Sequence, residues 1–321
     1  MKALRVAVVG AGVMGRFHAN NYAALPHVEL VAVADPDADR RAEARASFDC
    51  QAYESLDELL AAESFDAASV AVPTSLHFSV AKRLLEAGIH VLVEKPVATD
   101  VAQARELAAL SRKLGLVLQV GHITRFYRAV QLLGEQVREP YLIEARRMVP
   151  YARIKDVGVV LDLMIHDLDI VLRLIPAAPL DISVVGRALN GTPLEDVAAA
   201  QITFEGGCIA RFLASRVAPD AERSLVVAEP HQTMRLDFAK EPYTEIAIYR
   251  QPNASSDTGH VQLDRHVVHE DNPLRKELEH FLARIRRDAD PIGTLDDDLR
   301  SLDLATRLLE KIRSERHPVL A

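Results

Sequence analysis

The sequence predicts two domains of different class: an α/β domain with a parallel sheet over residues 1–121, then an α+β domain with an open, mostly antiparallel sheet over residues 122–321. Three observations carry this. Short β-branched runs alternate in the first third with amphipathic stretches at helical spacing, the pattern of βαβ units. A glycine-rich turn, Gly10-Ala11-Gly12-Val13-Met14-Gly15, follows the first apolar run. From Ile182 to Val268 short alternating strands succeed one another across polar turns with no helix between them, which implies antiparallel pairing. The length of 321 residues also exceeds what one core comfortably serves.

Residues 5–9 read as a buried strand, 15–25 as a helix, 28–34 as a strand and 37–47 as a helix. Ser55 and Glu58 have capping-box spacing and open a short helix. A strand at 67–72, a helix at 76–87 stopped by Gly88, and a strand at 89–93 come next. Asp100 caps a helix that Gly115 ends, and a strand at 116–120 closes the domain. Beyond it, 127–137 is helical, 141–148 a strand and 159–174 a long apolar helix. Seven strands follow, at 182–189, 198–204, 209–215, 224–227, 233–238, 245–250 and 261–268, with a mobile loop expected at 253–259. Two helices, from Pro273 and from about Asp296, end the chain, the last able to pack back on the first domain.

Composition narrows the function classes. Apolar residues make up 49% and charged residues 26%, an ordinary globular balance. A net charge of −8 without a basic stripe argues against nucleic acid as a partner. No segment reaches the ~18 apolar residues of a membrane span, and no signal-peptide grammar opens the chain, so a cytoplasmic protein is expected. The two cysteines, Cys50 and Cys208, show no metal spacing and read as buried thiols in a reducing compartment.

The glycine turn has the G-x-G-x-x-G form and the right context, after a strand and opening a helix. That is the Rossmann fingerprint for a dinucleotide. Gly10 permits the turn, Gly12 lets the pyrophosphate approach, and Gly15 lets helix and strand pack, leaving N–H groups of Val13, Met14 and Gly15 aimed at the anion. Asp35, ending the second strand, can accept from ribose hydroxyls and would repel a 2′-phosphate, which favours NAD over NADP. The bland reading of Asp35 is an Asp-Pro turn, and Arg40 and Arg41 leave room for NADP.

Glu94-Lys95-Pro96 follows a strand at the carboxyl edge of the sheet, where a lysine can donate to a substrate oxygen; alone, such a lysine is more often a solvated charge. Asp162, His166 and Asp169 fall on one helical face, so two carboxylates flank one imidazole among apolar neighbours. An imidazole so oriented suits a general acid or base. A core histidine satisfied by aspartate, or a zinc ligand set with no further ligand cluster in evidence, are the other readings; no metal is expected.

Together these elements resemble the Gfo/Idh/MocA family of glucose–fructose oxidoreductase, inositol dehydrogenase and rhizopine-catabolism proteins. The marks are the glycine turn at 10–15, Val72-Pro73-Thr74 with His77, Glu94-Lys95-Pro96, Gly121-His122 with Arg125-Phe126, the Asp162/His166 helix, and Asn272-Pro273-Leu274 with Glu277 and Phe281. The resemblance implies oxidation of a sugar or cyclitol hydroxyl by NAD(P), and homo-oligomerisation, as dimer or tetramer, through the open sheet. It implies Lys95, Asp162 and His166 as catalytic residues, and Pro73, Thr74, His77, Glu94 and Lys95 beside the glycines and Asp35 around the cofactor. Substrate contacts are expected from Lys95, His122, Arg125, Arg147, Tyr151, Arg153, Asp162 and His166. Many members have D-x-G-x-H here, whereas this chain has Met164 for that glycine. The form Asp162-Leu-Met-Ile-His166-Asp-Leu-Asp169 resembles the branch that oxidises the 3-hydroxyl of UDP-N-acetylglucosamine, and the arginines and Tyr151 before it suit a diphosphate and a uracil ring, a solvated basic loop being the other reading. Three alternatives stay open: a dehydrogenase of a free sugar or cyclitol, a glycoside hydrolase using tightly held NAD, and a catalytically silent sensor of dinucleotide or sugar.

Overall fold

The computed structural model describes residues 3–150, 156–238, 242–250 and 261–314. The chain divides into two compact units, Met1–Ile123 with Pro273–Leu299, and Thr124–Asn272 with Arg300–Ala321.

The first unit is built on a six-stranded sheet whose strands are all parallel: β1 (Leu4–Val9), β2 (Val28–Ala34), β3 (Gln51–Tyr53), β4 (Ala67–Val70), β5 (His90–Glu94) and β6 (Leu118–Gly121), in the order β3-β2-β1-β4-β5-β6. The order reverses between β1 and β4, which makes a crevice at their carboxyl ends, the usual ligand site of such sheets. Helices α1 (Val13–Ala24), α2 (Ala38–Ser47), α3 (Leu56–Ala62), α4 (His77–Glu86) and α5 (Val101–Leu114) connect the strands, with a 3₁₀ turn at Thr74–Leu76. Ser55 and Asp100 accept from backbone N–H groups of the following turn, and Gly115 takes the left-handed conformation that ends α5, as the sequence promised. Asp37, read as the first residue of a helix, is instead the cap of α2 and accepts from Asp39 N and Arg40 N. The short strand β3 escapes sequence reading because Gln51–Tyr53 offers only one buried position for a period-two pattern.

Helix α8 (Pro273–Arg286) belongs to this unit although it lies 150 residues further along the chain than Ile123. Leu274, Leu278, Phe281 and Leu282 enter one buried cluster with Val6, Val8, Ala19, Tyr22, Leu25 and Leu30.

The second unit carries an eight-stranded mixed sheet in the order β14-β13-β12-β11-β7-β10-β9-β8, antiparallel except where β7 and β10 pair in parallel. Its strands are β7 (Leu142–Met148), β8 (Pro179–Arg187), β9 (Val197–Phe204), β10 (Ile209–Ser215), β11 (Glu222–Glu229), β12 (Gln232–Asp237), β13 (Tyr243–Arg250) and β14 (Gln262–His269). Helices α6 (Arg128–Gln136) and α7 (Ile165–Leu174) belong here, and α9 (Leu295–Ser314) starts in the first unit and ends in the second. The loop expected at 253–259 lies outside the described residues.

One element departs from expectation. The helix foreseen at 159–174 begins as a π turn, Val160–Met164, before becoming α-helical at Ile165. Gly158 and Glu195 explain where the irregular turn starts. The Glu195 carboxylate accepts from Val160 N at 3.0 Å, and it lies so close over Gly158 that a Cβ there would sit 2.0 Å from it. Arg216 donates to Val157 O and Glu195 O, both at 2.9 Å, and closes this support.

Both cysteine thiols are free, Cys208 buried and Cys50 half-buried rather than buried as expected. No helix among the described residues is long and apolar enough to cross a membrane.

Candidate active site

The glycine turn joins β1 to α1 at the crevice. Gly10 has φ +93°, and a Cβ there would lie 2.5 Å from Ala71 O, so the loops after β1 and β4 touch. A Cβ on Gly15 would lie 1.7 Å from Gly10 O, which leaves no room for any other residue. At Gly12 the reverse holds: a Cβ would meet nothing within 4 Å and would fill the open cradle at the start of α1. That helix start has no side-chain cap and no acidic residue in its first turn, so Val13, Met14 and Gly15 present it as an anion site. The observation fits a bound dinucleotide.

Asp35 is buried, and its carboxylate accepts from Ala11 N at 2.7 Å and Asp37 N at 2.9 Å. Its negative charge is thus fixed beside the glycine turn, where it suits ribose hydroxyls and disfavours a 2′-phosphate. Arg41 is spent on the carbonyls of Asp35 and Pro36, at 2.9 Å each.

Across the crevice, the residues after β4 and β5 meet. His77 is buried, with Nδ1 2.7 Å from Pro96 O and Nε2 3.0 Å from Val72 O, so one ring ties the two loops together. Pro73 and Thr74 begin the 3₁₀ turn that delivers it. Glu94 is buried, its Oε1 2.8 Å from His18 Nε2. Burial works to raise the Glu94 carboxyl, but the His18 hydrogen bond and the electrostatic pull of His18, Lys95 and His77 outweigh it and hold the group below its ordinary value. Lys95 is half-buried and joined to Pro96 by a cis peptide bond. His122, at the end of β6, is buried with Nε2 3.7 Å from Asp298 Oδ1. Thus Gly10 to Gly15, Asp35, Pro73, Thr74, His77, Glu94 and Lys95 all gather at the carboxyl edge of one sheet.

The second unit carries the other expected residues. Asp162 lies in the π turn and His166 in the first turn of α7; both are half-buried, whereas Asp167 and Asp169 beside them are buried. The expected pair of carboxylates flanking the imidazole is revised. Asp169 is fully buried and held by Arg125, at 2.9 Å to Nε and 2.5 Å to Nη2, and by Ser301 at 3.2 Å. Asp167 is likewise held by Arg147, with contacts of 2.7 to 3.2 Å. Two buried bidentate arginine pairs therefore lock the turn that carries His166, and Asp162 is the carboxylate one turn before it. Tyr151 and Arg153 lie outside the described residues.

His18, Tyr22, Ser69 and Glu195 escaped the sequence reading. His18 and Tyr22 share the buried face of α1 with Gly15 and Ala19, a spacing that marks core and says nothing of the carboxylate His18 finds. Glu195 sits in a turn-like stretch whose contacts are all tertiary.

A parallel sheet with a glycine cradle, an acidic residue after its second strand and a lysine at its carboxyl edge defines the class of NAD-dependent oxidoreductases. The comparisons sharpen this. Residues 4–122 match the family profile described as "Oxidoreductase family, NAD-binding Rossmann fold", and residues 128–235 match the "GFO/IDH/MocA C-terminal domain". The chain belongs to the Gfo/Idh/MocA oxidoreductase family, as an NAD-dependent enzyme acting on a CH–OH group. It is 40% identical over 245 residues to UDP-N-acetylglucosamine 3-dehydrogenase of Acidithiobacillus ferrooxidans, covering 76% of this chain and 74% of the relative. A solved structure of that enzyme superposes with a TM-score of 0.87 at 34% identity, over 98% of this chain and 99% of that one. The scyllo-inositol 2-dehydrogenase (NAD(+)) of Bacillus subtilis is 28% identical over 67% of this chain and 68% of its own.

Proposed function

We propose that the chain oxidises a hydroxyl of a sugar nucleotide, the 3-hydroxyl of UDP-N-acetylglucosamine, as a cytoplasmic homo-oligomer assembled through the open sheet. The observation that carries the catalytic reading is the pairing of Asp162 and His166 as half-buried groups one turn apart, while Asp167 and Asp169 are buried and consumed by arginines. Similarity to the Acidithiobacillus enzyme over three quarters of the chain supports the substrate.

His166 takes the hydroxyl proton as general base, and Asp162, one turn before it, orients the substrate or the ring. Lys95 donates to the oxygen on which negative charge develops. Gly10, Gly12, Val13, Met14, Gly15, Asp35, Pro73, Thr74, His77, Glu94 and Lys95 would hold NAD, which would supply the two-electron acceptor for the carbon-bound hydrogen. The products are the ketone, NADH and a proton that His166 passes to solvent. Arg125 and Arg147 have an indirect part, since their carboxylate pairs fix the turn bearing His166. His122, Tyr151 and Arg153 complete the proposed contacts to the sugar nucleotide.

The test is Lys95→Met with UDP-N-acetylglucosamine and NAD. Turnover is expected to fall by ~10²–10⁴-fold, the range for loss of a positioned donor, while NAD binding measured by titration stays within a few-fold. Unchanged turnover would show Lys95 to be a solvated charge. No NADH formation from the sugar nucleotide, with turnover of a free sugar or cyclitol, would move the substrate instead. Light scattering of the same preparation should read a dimer or tetramer mass, and a monomer would remove the assembly.

A further inference from the structure

Behind the Lys95 turn the first unit buries a line of polar groups that leads to Glu94 through Tyr22, Ser69 and His18, three residues that the chemistry above does not use. Tyr22 Oη lies 2.9 Å from Ser69 Oγ, Ser69 Oγ lies 2.9 Å from His18 Nδ1, and His18 Nε2 lies 2.8 Å from Glu94 Oε1. His18, Ser69 and Tyr22 have no exposed surface. A core that only needed filling would place apolar groups here, since each buried polar atom must be satisfied at its own cost.

The direction of the line is fixed at its Glu94 end. Burial pushes the Tyr22 phenol up, with the Ser69 hydrogen bond opposing it and the nearby Glu277 charge adding to the push, so the phenol keeps its proton. The Glu94 carboxylate can only accept, so His18 Nε2 carries the proton that faces it, and Nδ1 faces Ser69 Oγ. Glu94 is confined from the other side as well. Its neighbour across β6 is Gly121, where a Cβ would lie 3.2 Å from Glu94 Oε1 and Cα. His18 from α1, His77 from α4 and Lys95 next to it all favour the ionised form of this carboxyl; Ser69 of β4 and Gly121 of β6 bring no charge.

We propose that His18 is a positioning residue for Lys95: its Nε2–H holds the Glu94 carboxylate in place, and Glu94 fixes the turn that carries Lys95, the next residue. The proposal rests on the reading of Lys95 as the group that meets the substrate oxygen. Remove the His18 donor and the Glu94 carboxylate loses its hydrogen-bond anchor, so the turn that aims Lys95 is free to shift.

His18→Gln and His18→Asn separate this from a packing role. The Gln amide nitrogen reaches the place of Nε2 and donates to Glu94, whereas the Asn amide reaches only the place of Nδ1 and stays with Ser69. With UDP-N-acetylglucosamine and NAD, His18→Asn is expected to lower kcat about tenfold or more with KM and NAD affinity within a few-fold. His18→Gln should recover most of the lost kcat. The proposal is overturned if His18→Asn keeps the wild-type kcat while only its melting temperature falls, or if Gln and Asn behave alike. Should Lys95→Met turn over normally, the reading of Lys95 fails first and takes the proposal with it; an inactive Lys95→Met beside a normal His18→Asn overturns the His18 role alone.

Discussion

At the scale of single residues, the turn bearing the proposed general base hangs on a glycine and a glutamate 37 positions apart, Gly158 and Glu195. Glu195 is buried, and its carboxylate satisfies Val160 N where the π turn begins. Any side chain at 158 must displace that carboxylate, because the space is already filled. Gly158→Ala should therefore cost about 1–3 kcal/mol in denaturant unfolding, the range for overpacking, and lower kcat as Asp162 shifts. An alanine that changed neither would show the carboxylate free to move aside. The turn at Gly10, Gly12 and Gly15 and the strand-end place of Asp35 were legible because a local motif needs them at fixed spacing. Glu195 was not, since its purpose exists only once the loop before β9 folds over Gly158. The same holds for the pairs that Arg125 and Arg147, expected as substrate contacts, make with Asp169 and Asp167.

Among the elements, β5 and β6 carry a pH dependence in their own hydrogen bonding. His90, the first residue of β5, accepts the Val117 N–H on Nδ1 at 2.9 Å, which needs an unprotonated nitrogen. Burial lowers the His90 value, against a smaller pull from Asp66 in the other direction. His280 on α8 is lowered too, by burial and then by Arg284, with the Asp290 carbonyl opposing. For a group depressed in the folded state the unfolded chain takes the proton first. Stability is then intact above the unfolded value of 6.5 and is lost as pH falls below it toward the folded value. Glu94, also depressed, adds a separate loss at more acid pH. Unfolding in denaturant should weaken from pH 7 toward about pH 5, and His90→Asn, whose Oδ1 can accept from Val117 N without titrating, should flatten part of that slope. An unchanged slope would place the dependence elsewhere. Apart from β3, the strands of both sheets were legible from β-branched runs and from alternation, whereas the π turn was not, because apolar periodicity over 160–164 suits a π or an α turn equally.

For the whole molecule, the chain order conceals the composition of the first unit. Residues 1–121 look complete as a sequence, with a full set of βαβ signals and a closing strand. Yet Leu274, Leu278, Phe281 and Leu282 of α8 supply part of the same core as Val6, Val8 and Tyr22, all of them buried. The Gln119 side chain donates to Glu277 O at 3.2 Å and adds a polar tie at the same face. A fragment of residues 1–123 would present this apolar surface of α1 and the sheet to water, an uncovered patch that favours aggregation. Phe281→Ala in the full chain should cost about 3–5 kcal/mol, as for a fully buried aromatic, a large share of the ~5–15 kcal/mol that holds a typical domain together. The fragment 1–123 should accordingly lack a cooperative melt and bind NAD poorly. Joining residues 273–299 to its end through a flexible linker should restore both, since the helix brings back the missing part of the core. A fragment 1–123 that melts cooperatively and binds NAD like the full chain would show that α8 only covers a domain already able to stand by itself.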